Sequence, residues 1–178
     1  MATLPTTPAA PDPAAAEDPA FTVMPLRYTE DAPAMFGFLR ALGMAPVVTA
    51  GAETFGHLAA GAGRVMVHAV TGADTGARGG DTDLCLAVAE TDAAVDALRA
   101  DGCAVDVWDE SYGRQGLLTS PSGETVALNE QQSDLYGYQG HDPSDADPRL
   151  SVTAVLSSAD FDRDAAWAAR LGFRPGRE

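Results

Sequence analysis

Residues 31–44 carry most of the fold prediction and read Asp-Ala-Pro-Ala-Met-Phe-Gly-Phe-Leu-Arg-Ala-Leu-Gly-Met. Apolar side chains recur here at helical spacing after an acidic, proline-containing start, and Gly43 is a C-cap candidate. An extended apolar segment, 21–27, precedes the helix. Three short strands are predicted after it, at 46–50, 54–60 and 63–70, the last two joined by a glycine turn. The segment 21–70 is therefore a βαβββ module.

The same order of elements begins again after the polar loop at 71–82. A strand at 83–88 and a helix from Asp92 to a glycine cap at Gly102 are followed by three strands, predicted at 103–109, 113–119 and 124–129. The last two strands turn through Ser-Pro-Ser-Gly at 120–123. The sequence therefore predicts an α+β domain over 21–131, with tandem βαβββ modules at 21–70 and 82–131.

A third copy of the opening of the module lies near the end of the sequence. Residues 21–46 align without gaps on 150–175, and the identical pairs are Val23 with Val152, Asp31 with Asp160, Leu42 with Leu171, Gly43 with Gly172 and Pro46 with Pro175. We expect 132–149 to be a linker and 150–178 to begin a second such domain that is truncated. A βα fragment cannot cover its own apolar face. Either the chain belongs to a longer two-domain protein, or the fragment packs on the first domain or exchanges with a second chain.

Composition excludes several classes of function. The 178 residues include 11 basic and 26 acidic ones, for a net charge of −15, and the basic residues are all Arg. Scattered cations in an acidic chain argue against nucleic-acid binding. Sequence segments long and apolar enough to span a membrane are absent. The two cysteines, Cys85 and Cys103, form neither a disulfide framework nor a CxxC metal motif.

The first twenty residues have the composition of a disordered leader and lack the features of a secretory signal. A cytoplasmic protein is therefore expected. The absence of Lys together with abundant Ala and Gly suggests a bacterial genome rich in G and C. Nucleophile elbows, phosphate loops, dinucleotide fingerprints and His-Glu-x-x-His motifs are all missing from the sequence.

The tandem modules, the helix at 31–44 and the Ser-Pro-Ser-Gly-x-x-Val turn together resemble the vicinal oxygen chelate superfamily. That superfamily includes glyoxalase I, extradiol dioxygenases, fosfomycin-resistance enzymes and bleomycin-resistance proteins. The resemblance covers 21–131 fully and 150–178 as the start of a second domain. It implies a curled mixed sheet around a cleft, and it does not select one function, because one scaffold supports several activities.

The resemblance also implies where a divalent metal would be held in a catalytic member. Its ligand positions fall on Val23, Asp83 and Ala127, with His68 the nearest candidate for the fourth. Val23 and Ala127 cannot bind a metal, and His68 with Asp83 would supply two ligands where three or four are needed. The expected protein therefore has no metal cofactor and no catalytic residue. A divalent metal is expected only under the alternative hypothesis of a metal-dependent enzyme.

Candidate ligand-binding residues come from two places in the sequence. His57 and His68 lie on neighbouring predicted strands, where each is either an ordinary sheet histidine or a polar anchor in the cleft. Asp83 is either a solvated strand start or a cleft residue that needs a cationic partner. The second place is the hairpin that combines aromatic and charged side chains, namely Trp108, Glu110, Tyr112 and Arg114. Such a mixture suits a flat or cationic organic ligand, and it is equally compatible with packing residues beside a solvated turn.

The sequence thus favours a small-molecule-binding protein that works like the resistance-type members, without a bound metal. The alternative is a metal-dependent lyase, isomerase or dioxygenase with ligands completed by a second domain or subunit, and a scaffold for self-association is a third hypothesis. The expected partner is an aromatic or cationic organic ligand. A homodimer is also expected, since family members pair modules across chains. The segment 130–138 either folds over the cleft or begins the interdomain connection.

Overall fold

A computed structural model describes residues 21–71, 73, 75–110, 113–130, 135 and 137–174. The first module begins with two short strands, β1 (Thr22–Val23) and β2 (Leu26–Thr29). Pro25 lies between them and has no N–H to continue one ladder, so the single extended segment expected from the sequence is split. Its helix and remaining strands follow as α1 (Ala32–Ala41), β3 (Ala45–Ala50), β4 (Phe55–Ala59) and β5 (Arg64–Ala69).

The helix α1 has the start that its sequence predicts. Asp31 is the N-cap, and its carboxylate accepts a hydrogen bond from the Ala34 N–H at 3.0 Å. Phe36 and Leu39 are buried on the side that faces the sheet. The backbone ends the helix at Gly43, whose φ of 103° is a conformation that glycine adopts without strain.

The second module repeats this order. It consists of β6 (Thr82–Val88), α2 (Thr91–Ala100), β7 (Val105–Glu110), β8 (Gly113–Thr119) and β9 (Thr125–Glu130). A further strand, β10 (Tyr138–Gly140), was not expected from the sequence. It is followed by a 3₁₀ turn at Pro143–Asp145 and by α3 (Phe161–Arg170).

All ten described strands belong to one mixed, curled and unclosed sheet. The strand order is β10-β3-β4-β5-β2-β6-β9-β8-β7, and β1 pairs with β6 beside this path. The modules join through the antiparallel pair β2 and β6, where Leu26 is opposite Asp83. Within each module the first and last strands run parallel. The predicted α+β class with tandem βαβββ modules is confirmed.

The two faces of the sheet are packed differently. On one face α1 covers an apolar cluster that includes Phe36, Leu58 and Val67. On the same face α2 covers the cluster of the second module, which includes Val95 and Leu98. The opposite face, called here the helix-free face, carries a smaller cluster of Met24, Met66, Cys85 and Ala87 with Leu26, Phe55 and Ala127 at its edge. Among the described residues, neither α1 nor α2 covers this face.

The C-terminal βα start packs on both modules. Its β part is a single parallel bridge between Ser151 and Ala62, and the neighbouring Leu150 and Val152 pack against the α1 cluster. Trp167 and Leu171 of α3 are buried in the cluster under α2. The fragment therefore packs on the first domain, which is one of the arrangements that the sequence left open. That the chain belongs to a longer two-domain protein stays a prediction. Among the described residues no helix is long and apolar enough to cross a membrane.

Candidate functional site

Strand alternation places a row of four rings on the helix-free face of the first module. Tyr28, His68 and Phe55 are consecutive cross-strand neighbours on β2, β5 and β4. The next ring, Tyr138, comes from β10, where it is opposite Ala50 of β3. These four side chains are called here the aromatic row.

The rings of the aromatic row are in contact from one side of the module to the other. The centroids of Tyr28 and His68 are 6.1 Å apart, and those of His68 and Phe55 are 5.5 Å apart. Phe55 meets Tyr138 at 5.8 Å with an angle of 72° between the planes, an edge-to-face contact. Tyr28 is buried, whereas the other three are half-buried and retain surface that a ligand can cover. The row is a continuous line of aromatic rings tilted against one another across the first module.

His68 has one ring nitrogen fixed and the other available. Its Nδ1 lies 2.6 Å from the carbonyl oxygen of Ala69. A carbonyl only accepts, so Nδ1 carries the hydrogen, and in the neutral imidazole Nε2 then has the lone pair. An imidazole in this state can accept a hydrogen bond from a ligand or ligate a metal.

His57 lies in the neighbouring row, opposite Met66 on β5 and Val48 on β3. Its side chain is 9% exposed, and its buried Nδ1 has no hydrogen-bond partner among the described residues. Burial, together with the smaller effect of the Arg64 charge, lowers the pKa of His57 to about 4. His57 is therefore neutral at physiological pH and keeps an unused polar atom inside the site.

Asp83 lies at the junction of the modules and is exposed. It is next to Tyr28, whose pKa is raised by burial and further by the Asp83 charge. Burial raises the pKa of the Cys85 thiol to about 12, so this cysteine stays protonated. Tyr28 thus contacts both His68 and Asp83, the two residues expected to be weak metal candidates.

The second module contributes a more polar strip to the helix-free face. Trp108, Gln115 and Asn129 are cross-strand neighbours on β7, β8 and β9. The Gln115 amide donates to the Asn129 side chain at 2.6 Å. The Trp108 indole N–H donates to the Glu110 carboxylate at 2.6 Å, and Trp108 is 36% exposed. The expected pairing of an aromatic ring and a carboxylate is present at this edge.

The structure separates Arg114 from that pair. Arg114 is opposite Asp109 on β7, on the face that carries α2, and it forms ion pairs of 2.6 Å with Asp92 and Asp109. The sequence analysis grouped Arg114 with Trp108. Trp108 is opposite Gln115, however, and Arg114 is the neighbour of Gln115 on β8, so alternation turns its side chain to the other face. Tyr112 lies outside the described residues. The expected set is therefore divided. His57 and His68 lie in the first module, Asp83 lies at the module junction, and Trp108 with Glu110 lies at the far edge of the second module.

Sequence reasoning did not include Tyr28, Phe55, Arg64 or Tyr138. Alternation along β4 and β5 was sufficient to place Phe55 and Arg64 on the faces of His57 and His68. Tyr138 gave no such signal, because β10 pairs with β3 across a long separation in sequence.

The four metal positions implied by the resemblance do not assemble a metal site. Val23 packs against the cluster under α2, on the face opposite to the site. Ala127 is opposite Cys85 on the helix-free face and offers no donor. Within the described part of the chain, no group of three or more His, Cys, Asp or Glu side chains could hold a metal ion. His68 and Asp83 alone do not fit a catalytic metal.

Comparisons with known proteins give likenesses of structure only. No family model matches the sequence, and no curated protein matches it. A glyoxalase/bleomycin resistance protein/dioxygenase superfamily member from Vibrio splendidus 12B01 is 18% identical with a TM-score of 0.41, covering 62% of this chain and 99% of its own. Methylmalonyl-CoA epimerase from Mycobacterium tuberculosis is 17% identical with a TM-score of 0.44, covering 66% and 91%.

A catechol 2,3-dioxygenase is 16% identical with a TM-score of 0.49, and the match covers 85% of this chain and 56% of that one. At these identities and scores no activity is transferred to this chain. The two βαβββ modules themselves confirm, as a fold, the vicinal oxygen chelate resemblance that the sequence indicated.

Proposed function

We propose that the protein binds a small organic molecule with a flat apolar part on the helix-free face, without a bound metal, in the manner of a sequestering protein. The observation that carries this proposal is the aromatic row, in which three strands of the first module and the separate strand β10 bring four rings into contact. Rings in offset or edge-to-face contact provide a preformed wall for another flat molecule.

The surroundings of the row support binding of an apolar group. The row borders the apolar cluster of Met24, Met66 and Leu26, and of these three Leu26 keeps partly exposed apolar surface that a ligand would cover. The imidazoles of His57 and His68 lie beside or within the row and support a role for both in orienting a ligand. A mostly apolar site with a few fixed polar groups is typical of small-molecule pockets.

Trp108 and Glu110 extend the proposed surface onto the second module. The indole is held by its hydrogen bond to Glu110 and keeps part of its ring exposed. A ligand long enough to span the module junction would contact it. A ligand confined to the first module would not.

The alternative is a metal-dependent lyase, isomerase or dioxygenase, and one observation favours it. His68 has the tautomer of a metal ligand, with Nδ1 bound to a carbonyl and Nε2 free to coordinate. Because His68 and Asp83 are too few, this alternative requires donors from a second domain or subunit. Elemental analysis of the purified protein tests it: one equivalent of retained metal would replace the binding proposal.

Titration with 2-naphthamide, followed by calorimetry, tests the binding proposal directly. Phe55→Ala removes the central ring of the row and should weaken binding by about tenfold or more, the usual effect of removing an aromatic anchor. Phe38→Ala is the matched control, because Phe38 lies on α1 and is 57% exposed. Equal affinities of the two variants would show that the aromatic row is not the binding surface.

A further inference from the structure

We propose that Arg64 and His57 form a carboxylate-binding site beside the aromatic row, so that the ligand is a flat organic acid. This inference rests on the proposed function and specifies the chemical class of its ligand. Three features of the first module support it: a cation without an ion pair among the described residues, a buried imidazole with an unused nitrogen, and the position of both beside the row.

Arg64 is the first residue of β5 and lies on the helix-free face. Its neighbour Val65 packs against the α1 cluster, whereas Met66 belongs to the cluster on the helix-free face. Alternation therefore places Arg64, Met66 and His68 on one face of β5. Arg64 is opposite Ala59 of β4, two residues after His57.

The Arg64 side chain is half-buried, and burial lowers the pKa of its guanidinium. In the described part of the chain, the ion pairs of Arg40, Arg114, Arg149 and Arg163 satisfy those four arginines with carboxylates. None of the described ion pairs includes Arg64, although acidic residues outnumber basic ones 26 to 11. A partly desolvated cation without a counterion is costly, and an incoming anion removes that cost.

His57 supplies a second polar group at the same place. Its imidazole is buried and neutral, and its Nδ1 has no partner in the described structure. His57 is opposite Met66 and Arg64 is opposite Ala59, so the two residues are diagonal neighbours on β4 and β5, and the guanidinium charge acts on the imidazole. The His57 Nδ1 is enclosed in the structure, so a rotation of the ring must first bring it to the surface. A carboxylate held by the planar guanidinium fork can then accept a further hydrogen bond from the Nδ1–H tautomer.

The spacing along the strands fits an aromatic acid. His57 is two residues from Phe55 on β4, which is about 7 Å along a strand, and Arg64 is four residues from His68 on β5, about 13 Å. A ring placed over Phe55 and His68 would therefore direct a substituent along β4 and β5 toward Arg64. A carboxylate on a fused two-ring system reaches about 7 Å, roughly the offset of His57, and the long Arg64 side chain must extend back toward it to complete the contact.

The test compares 2-naphthoate with 2-naphthamide, which share ring and shape but differ in charge. The wild-type protein should bind 2-naphthoate at least about tenfold more tightly, since hydrogen bonds between charged groups are the stronger ones. Arg64→Met keeps the length of the side chain and should make the two affinities equal. Arg40→Met, on α1 and paired with Glu53, removes one charge elsewhere and should leave the preference intact.

The outcomes separate this inference from the proposed function. The carboxylate site is wrong if the wild-type protein shows no preference for 2-naphthoate, or if this preference survives in Arg64→Met. The aromatic surface still stands in either case, provided that Phe55→Ala weakens the binding of both probes. If neither probe binds saturably, or Phe55→Ala changes neither affinity, the aromatic surface itself is refuted, and the carboxylate site with it. Arg64→Met should fold normally, because it removes a cation that has no partner in the described residues, and circular dichroism verifies this.

Discussion

The docking of α3 on the second module makes a quantitative prediction about Trp167. This side chain is 9% exposed and lies in the cluster under α2 with Leu98, Val105 and Leu171. A tryptophan buries about 150–250 Å², which at about 25 cal/mol per Å² corresponds to about 4–6 kcal/mol as an upper limit. Measured losses for Trp→Ala in cores are about 3–5 kcal/mol. We therefore expect Trp167→Ala to lower the free energy of unfolding by about 3–5 kcal/mol.

Phe161→Ala is the matched control, since Phe161 is in the same helix and is 77% exposed. Its effect should stay within about 0.5 kcal/mol. Urea unfolding followed by far-ultraviolet circular dichroism measures both variants, because fluorescence would lose one of its two tryptophan reporters in Trp167→Ala. The reasoning is refuted if the two variants unfold at the same urea concentration with unchanged slopes, because α3 would then contribute nothing to the core.

Three further predictions concern single positions. A Cβ at Gly56 would come within 2.4 Å of a carbonyl oxygen of β3, so Gly56→Ala should lower the free energy of unfolding in urea by about 1–3 kcal/mol. Gly37 in α1 has open space around it, so Gly37→Ala should raise the same quantity by about 0.5–1 kcal/mol. The pKa of His57 is about 4 in the folded chain and 6.5 in the unfolded chain, so the unfolded chain takes up a proton first as the pH falls. The free energy of unfolding should therefore decrease by about 3 kcal/mol between pH 6.5 and pH 4. His57→Leu should remove this part of the pH dependence, and equal pH profiles of the variant and the wild type would contradict the assignment. A Cβ at Gly61 would approach the Pro148 carbonyl oxygen to 2.5 Å, so Gly61→Ala should increase amide exchange in 148–152, which Gly37→Ala should leave unchanged.

The sequence was sufficient for the modules because their signals are local. The helical spacing around Phe36, the N-cap at Asp31 and the glycine at 43 act within a few residues, and each was found where expected. The strand order inside each module follows from short connections, which leave few alternatives. Local consistency of this kind is also why the second module could be predicted independently of the first.

The site was predicted less completely because it depends on face and on distant pairing. Trp108 and Arg114 are close in sequence, yet alternation places them on opposite faces of β7 and β8. Tyr138 reaches the aromatic row only because β10 pairs with β3, a contact between residues almost ninety positions apart. A single sequence contains the period of a strand but no direct signal for the partner of an isolated three-residue strand.

The charge of the whole chain and the charge of the proposed site act at different ranges. A net charge of −15 suggests a cationic ligand, but this field is screened over about 8–10 Å at physiological ionic strength. A contact with half-buried Arg64 is screened much less, because water and counterions are partly excluded from it. The acidic field therefore governs how fast an anion arrives, while Arg64 and His57 govern how long it stays. An organic acid bound at this site would associate faster as salt is added and would keep most of its residence time, whereas a cation attracted by the field alone would lose affinity with salt.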